Sequence, residues 1–130
     1  MESVSDRIEL LLPFKPEYVS IARLVTSGVC SRIGFDIETI EDIKVAISEV
    51  CSKIVNLGSA VADSYKMIFE VSGSGLGVIF SCEDKSIKCI FDGENDGLAL
   101  HIINALMDSV ELCTDNNYIL SMSKVLEENS

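Results

Sequence analysis

The stretch Ile47–Gly58, ISEVCSKIVNLG, decides how the rest of the chain is read. Wound as a helix at about 100° per residue, it sets Asp42, Glu49, Lys53 and Asn56 in one narrow polar stripe. Ile43, Ile47, Val50, Ile54 and Leu57 form an apolar face beside that stripe. A polar line embedded in a core-forming helix is either a solvated edge or the floor of a site. Periodicity alone leaves both readings open.

Upstream, Ile8–Phe14 (IELLLPF) reads as a strand apolar enough to be largely buried, with Pro13 marking its end or an edge position. Pro16 suits the first residue of a helix running to about Arg32. Its expected inner face is Tyr18, Ala22, Val25, Val29 and Ile33, and Gly34 is its stop. A short connection, FDIE, leads to Thr39, which with Asp42 resembles a capping box at the start of the central helix.

Downstream, Ser59–Asp63 reads as a loop, and Tyr65–Ser72 pairs with Leu76–Cys82 as a hairpin around Gly73, Ser74 and Gly75. Glu83–Asp96 is polar and irregular, with a small apolar island at Cys89–Phe91, and is expected to be a loop folded over something. Gly97–Asp108 forms a third helix with Leu98, Ile102, Ala105 and Leu106 on one face. Val110–Thr114 and Tyr118–Lys124 make a last hairpin around Asp115, Asn116 and Asn117, with a frayed tail from Glu127. Strands and helices are grouped rather than alternating. That order predicts an α+β fold, a two-layer sandwich with a mixed β-sheet covered on one face by three helices.

With 130 residues, 48% of them hydrophobic, and only two prolines, the chain is expected to be a single globular domain with a core from about residue 8 to 126. No apolar run approaches the ~20 residues of a membrane span, and the acidic start MESVSDRIEL lacks the form of a secretory signal. The five cysteines, Cys30, Cys51, Cys82, Cys89 and Cys113, are odd in number and without CxxC spacing. They read as small buried hydrophobes in a reducing cytoplasm, not as a disulfide framework or a zinc site. A formal net charge of −11 argues against direct nucleic-acid binding and is compatible with a basic protein partner.

From about Ile8 to Leu126 the chain resembles the anti-sigma-factor serine/threonine-protein kinases of bacteria, which share the GHKL ATPase fold with histidine kinases and DNA gyrase. The segments that carry the resemblance are LPFKPEYVSIARLVTSGVCSRIGF, IEDIKVAISEVCSKIV and GLALHIINALMDSVEL, in the family's order. In that family an N-box glutamate acts as general base toward a serine of the antagonist protein, and an asparagine four residues later ligates the Mg²⁺ that bridges the ATP phosphates. A DxGxG motif supplies an aspartate for the adenine amino group. A later GLGL segment offers helix N-terminal N–H groups to the phosphates.

Carried over, Glu49 falls on the general-base position and Lys53 on that of the metal-ligating asparagine. Asp84 falls on the adenine-reading aspartate, with Ser86 and Lys88 where the two glycines stand. Gly97, Leu98 and Ala99 begin GLAL, which keeps the first glycine of GLGL and replaces the second. The lid, Lys85–Asp96, is short, with Gly93 as its sole glycine. A protonated lysine, with an ordinary pKa of ~10.4, cannot ligate Mg²⁺. At i,i+4 from Glu49, Lys53 is expected to pair with that carboxylate, or else to stand in for the cation and hold a phosphate itself. Asn56, one turn on, is a more remote candidate for the lost ligand.

The resemblance therefore implies a regulator that binds a sigma factor, an anti-sigma-factor antagonist, or both, with ATP and Mg²⁺ binding weakened or absent, and with homodimers common in the family. The alternative it implies is an ATP-dependent serine kinase using Glu49 as base and Lys53 as phosphate clamp. A third reading is a scaffold with no sigma partner. The remaining polar and thioether residues read as structural: His101 as a partly exposed helix residue, Met67, Met107 and Met122 as core, Asp108 as a turn former.

Overall fold

A computed structural model describes residues 5–87, 91, 97–112 and 118–127. The expected elements falling wholly or partly outside them are the lid from Lys88 to Asp96 apart from Phe91, the turn at Asp115–Asn117, and the tail beyond Glu127. Strands β1 (Asp6–Pro13), β2 (Ser64–Ser72), β3 (Gly75–Ser81), β4 (Ser109–Leu112) and β5 (Leu120–Val125) form one sheet in the order β1-β2-β3-β5-β4. Helices α1 (Val19–Ile33), α2 (Ile37–Leu57) and α3 (Gly97–Leu106) supply the second layer, with α2 packed between the other two. Short 3-10 turns at Pro16–Tyr18 and Lys85–Ile87 complete the described structure.

The α+β sandwich is as expected. Its sheet is not mixed: all four described pairings are antiparallel. Every neighbouring pair is antiparallel, while β3 and β4, both antiparallel to β5, run the same way, so the link between them through α3 crosses over β5.

Period-two alternation divides the sheet into two faces. Tyr65, Met67 and Phe69 of β2, Leu76, Val78 and Phe80 of β3, and Leu120 and Met122 of β5 join the core under the helices. Ile43, Ile47, Val50, Cys51 and Ile54 of α2 pack into the same core, and each is fully buried. Phe35, Ile87, Phe91, Ile103, Met107 and Ile119 close its ends. On the opposite face Ile68 and Ile79 sit side by side in register. Next to them Glu9 accepts from Arg7 Nε at 2.9 Å and lies 3.5 Å from Lys66 Nζ.

Several details differ from the sequence reading, each for a local reason. β1 is an edge strand, exposed along most of its length, with only Leu12 fully buried. Its apolar run reflects one face on the core, not two. The cap of α2 is Asp36, whose Oδ1 accepts from the Thr39 N–H at 2.8 Å, so the helix begins at Ile37 and no Thr39–Asp42 capping box forms. Tyr18 precedes α1 and is 38% exposed, while Thr26 and Cys30 take inner positions, the Thr26 hydroxyl donating to the Ala22 carbonyl at 2.7 Å. Leu57, in the last turn of α2, is exposed.

α3 turns Ile103 inward, with Ala99, Leu100 and Leu106 packed partly against the core, while Leu98 and Ala105 face out. The polar residues His101 and Asn104, one turn apart and both exposed, mark the outer face, and Leu98 and Ala105 lie on their side of the helix. The helix stops at Leu106 because Asp108 is drawn into the sheet, its N–H donating to the Ser123 carbonyl and its Oδ2 accepting from the Val125 N–H.

Gly75 opens β3 opposite Val125. A Cβ there would collide with the carbonyl oxygen of Lys124, a backbone atom that cannot swing aside. Gly75→Ala is therefore expected to cost about 1–3 kcal/mol through forced strand displacement, read as a lower urea midpoint at unchanged slope.

Candidate functional site

α2 presents the central stripe as expected, but neither as a plain solvated edge nor as a buried floor. Asp42, Glu49 and Lys53 are each partly buried and Asn56 is exposed. Glu49 and Lys53 lie one turn apart on the half of the helix that leads to Gly58. There the backbone takes φ 67, a left-handed value that glycine adopts without a Cβ penalty, and the chain leaves the helix axis.

The next residue, Ser59, is the site residue that sequence reading passed over as loop. Its oxygen accepts from the N–H groups of Val61 (3.2 Å) and Ala62 (2.9 Å), which sets the course of the connection to β2. Its own O–H donates to Asp84 Oδ2 at 2.6 Å, across 25 residues of chain. The other carboxylate oxygen, Asp84 Oδ1, accepts from the Ser86 N–H at 3.0 Å and the Ser86 O–H at 2.6 Å. These bonds, Ser59 first and Ser86 next, hold the Asp84 carboxyl below its ordinary range. The signal in the sequence was a hydroxyl residue directly after a C-capping glycine, which is too common to mark a site by itself.

Asp84 is also anchored through its backbone. Its N–H donates to Cys82 Sγ at 3.4 Å, and that thiol donates to the Ser64 carbonyl at 3.6 Å. The end of α2, the start of β2 and the exit of β3 are thus tied at one point. α3 packs on α2 from the other side, with Gly97 and Leu98 exposed at its start and Ala99 partly buried. Lys88, which the resemblance sets at the second glycine position, lies outside the described residues. Glu49, Lys53, Asp84 and the first turn of α3 therefore belong to adjoining elements.

The donor set bears directly on the groups the family uses. The ammonium of Lys53 offers three N–H donors and no lone pair, so this position does not fit Mg²⁺. The Asp84 carboxylate is the right type of group for an exocyclic amine, but three of its roughly four acceptor positions are already used. A cleft of about 610 Å³ between Leu11, Val61, Lys66, Glu83 and Tyr118 opens on the helix-free side of the sheet, and neither Glu49, Lys53 nor Asp84 lines it.

The other residues singled out are structural. Burial pushes the thiols of Cys30 and Cys51 up to about 12, which leaves them protonated and inert. Cys82 is buried as well; Cys89 and Cys113 lie outside the described residues. His101 is exposed on α3, and Met67, Met107 and Met122 are core. No helix among the described residues is long and apolar enough to cross a membrane.

Residues 12–124 match the family model of the histidine kinase-like ATPase domain. Among curated proteins the chain is similar to the serine-protein kinase RsbW of Listeria monocytogenes serotype 4a, at 37% identity over 98% of this chain and 92% of the relative. It is 33% identical to the protein of the same name from Bacillus cereus strain B4264, over 94% of this chain and 86% of the relative. With that from Halalkalibacterium halodurans it shares 31% identity, over 94% and 85% respectively. The α+β sandwich and the span of these matches agree, and the chain belongs to the histidine kinase-like ATPase family, in which its relatives are RsbW serine-protein kinases.

Proposed function

We propose that this chain is a regulator of the partner-switching type, a single domain working in the bacterial cytoplasm by binding a sigma factor, an anti-sigma-factor antagonist, or both, with Mg·ATP binding weakened or lost. The observation that carries the reading is Lys53, an ammonium on α2 one turn from Glu49, which the resemblance sets at the place of the metal-ligating asparagine. A binding module survives that exchange; a Mg²⁺-dependent phosphoryl transfer does not easily do so.

A protein partner needs a face, and α1 offers one. Ile21 and Leu24 are 40% and 68% exposed, and Leu24 lines a groove of about 490 Å³ with Pro16, Val19, Ser20, Arg23 and Lys44. Lys44 is bonded to Glu41, which leaves Arg23 as the groove's outward cation on a chain of net charge −11. Apolar contact edged by positive charge suits an acidic amphipathic segment. A second copy of the chain is the other proposed partner, and the outer edge of β1 supports it: Arg7 and Glu9 flank Ile8, so two antiparallel copies of the strand would present opposite charges to each other.

The test is calorimetric titration of purified sigma factor and antagonist into the wild type and Leu24→Asp. Binding by the wild type, weakened about tenfold or more in the variant, is the expected result. Failure of both proteins to bind the wild type would overturn the reading. The second reading, a kinase with Glu49 as base and Lys53 as phosphate clamp, draws on the partly buried carboxylate of Glu49 and on relatives named as kinases. Phosphorylation of the antagonist, abolished by Glu49→Gln, would put it first.

A further inference from the structure

We propose that the outer edge of β1 is a docking site for an extended segment of a protein partner, which adds to the sheet as an antiparallel strand. Running from the position opposite Leu11 to the position opposite Arg7, that segment reads apolar, any residue, basic, apolar, acidic. The proposal deepens the protein-binding reading by naming a second surface for it, and needs neither the groove at Leu24 nor a nucleotide.

Among the described residues β1 ends the sheet, with β2 on one side and no strand on the other. It pairs with β2 without a bulge from Asp6 to Pro13, so its outward N–H and C=O groups form one unbroken row, a template for another strand. Leu10 and Leu12 turn to the core; by alternation Ile8 shares their face and Leu11 takes the other. Ile8 and Leu11 are both exposed, and each borders a cavity. On the helix side a groove of about 380 Å³ lies between Ile8, Val71 of β2, and Val25, Gly28 and Val29 of α1. On the open side Leu11 lines the cleft of about 610 Å³, in one cross-strand row with Lys66 and Ser81.

Gly28 points to the same occupant. Glycine is a poor residue for a helix interior, yet it stands inside α1 with an ordinary helical backbone, where a Cβ would meet nothing within 4 Å. No described contact of the chain asks for that space. An added strand does, because its side chain opposite Ile8 enters the groove against the bare backbone of α1. A second copy of β1 fits less completely: the register that sets Arg7 against Glu9 also sets Ile8 against Ile8 and leaves Leu11 facing Ser5. A foreign strand with apolar residues three apart covers both Ile8 and Leu11. Arg7 and Glu9, bonded at 2.9 Å and exposed, then select an acid and a base opposite them.

The experiment measures fluorescence anisotropy of the labelled peptide TLTKVET with the wild type, Gly28→Leu and Leu11→Asp. Its leucine, lysine, valine and glutamate face Leu11, Glu9, Ile8 and Arg7 in turn. The wild type is expected to bind it, and to bind TLTEVKT, with the two charges exchanged, about tenfold more weakly. Gly28→Leu fills the groove from α1 and is expected to weaken TLTKVET about tenfold or more, as is Leu11→Asp. Amide hydrogen exchange of β1 in the wild type should slow when the peptide is bound. No binding by the wild type, equal affinity for the two peptides, unchanged affinity in Gly28→Leu, or binding without protection of β1 would overturn the proposal. Should Gly28→Leu not fold, unchanged affinity in Leu11→Asp would overturn it as well. A dimer that the peptide does not displace would give the edge to a second copy, and would equally overturn it. Each of these failures leaves the titration of sigma factor and antagonist standing, because that experiment reads the Leu24 groove.

Discussion

Phe80→Ala is expected to cost about 3–5 kcal/mol, a large part of the about 5–15 kcal/mol that holds a domain folded. Phe80 is fully buried on β3, the middle strand of the sheet, and stands in register between Met67 of β2 and Leu120 of β5, both fully buried. Its carbonyl also accepts from the Ile119 N–H at 2.8 Å, so the backbone around it is pinned and cannot collapse into the space a truncated ring would leave. The transfer loss and the cavity loss then add. Urea unfolding followed by circular dichroism measures it, as a midpoint shift at constant slope. The matched control is Leu11→Ala on β1, where the side chain is 62% exposed and the expected change is within about 0.5 kcal/mol. If Leu11→Ala proves as costly as Phe80→Ala, the free edge of the sheet is covered in solution, and β1 is an interface.

That contrast between Phe80 and Leu11 is also where the sequence stopped being informative. The hairpin β2–β3 was legible because Tyr65–Ser72 and Leu76–Cys82 flank two glycines, and both strands carry the alternation of a sheet with one packed face. The α2 core face was legible because Ile43, Ile47, Val50 and Ile54 keep helical spacing. β1 misled because strand order is set by pairing partners far along the chain: nothing in IELLLPF says that its other neighbour is water. In α3 the signal was the polar pair His101 and Asn104, one turn apart and both exposed, which sets Leu98 and Ala105 on the outer side and leaves Ile103 inward.

The candidate site divides in the same way. Helical spacing placed Glu49 and Lys53 on one stripe, since a single element holds both. It offered no route to Ser59, whose partner Asp84 is 25 residues away and is reached only once the sheet has formed. Long-range side-chain hydrogen bonds are set by tertiary geometry, and a hydroxyl in a loop looks the same with or without one.

Lys53→Asn is expected to make the chain respond to Mg²⁺. In the wild type, an ammonium at this position has no lone pair to offer a cation and repels a divalent ion by several kcal/mol at contact distances. The asparagine side chain replaces it with a neutral carbonyl oxygen, on the same face of α2 and one turn from Glu49. A nucleotide at 100 times its dissociation constant stabilises the folded state by about 2.7 kcal/mol. For a domain of this size that is roughly a 10 °C rise in melting temperature. Thermal unfolding with ATP or ADP, with and without Mg²⁺, should therefore leave the wild type unmoved and shift Lys53→Asn only when the metal is present. A wild-type shift without metal would mean that the Lys53 ammonium itself holds a phosphate. A strong Mg²⁺-dependent shift in the wild type would defeat the weakened-site reading and put the kinase first. Silence in both proteins would place the obstacle beyond Lys53.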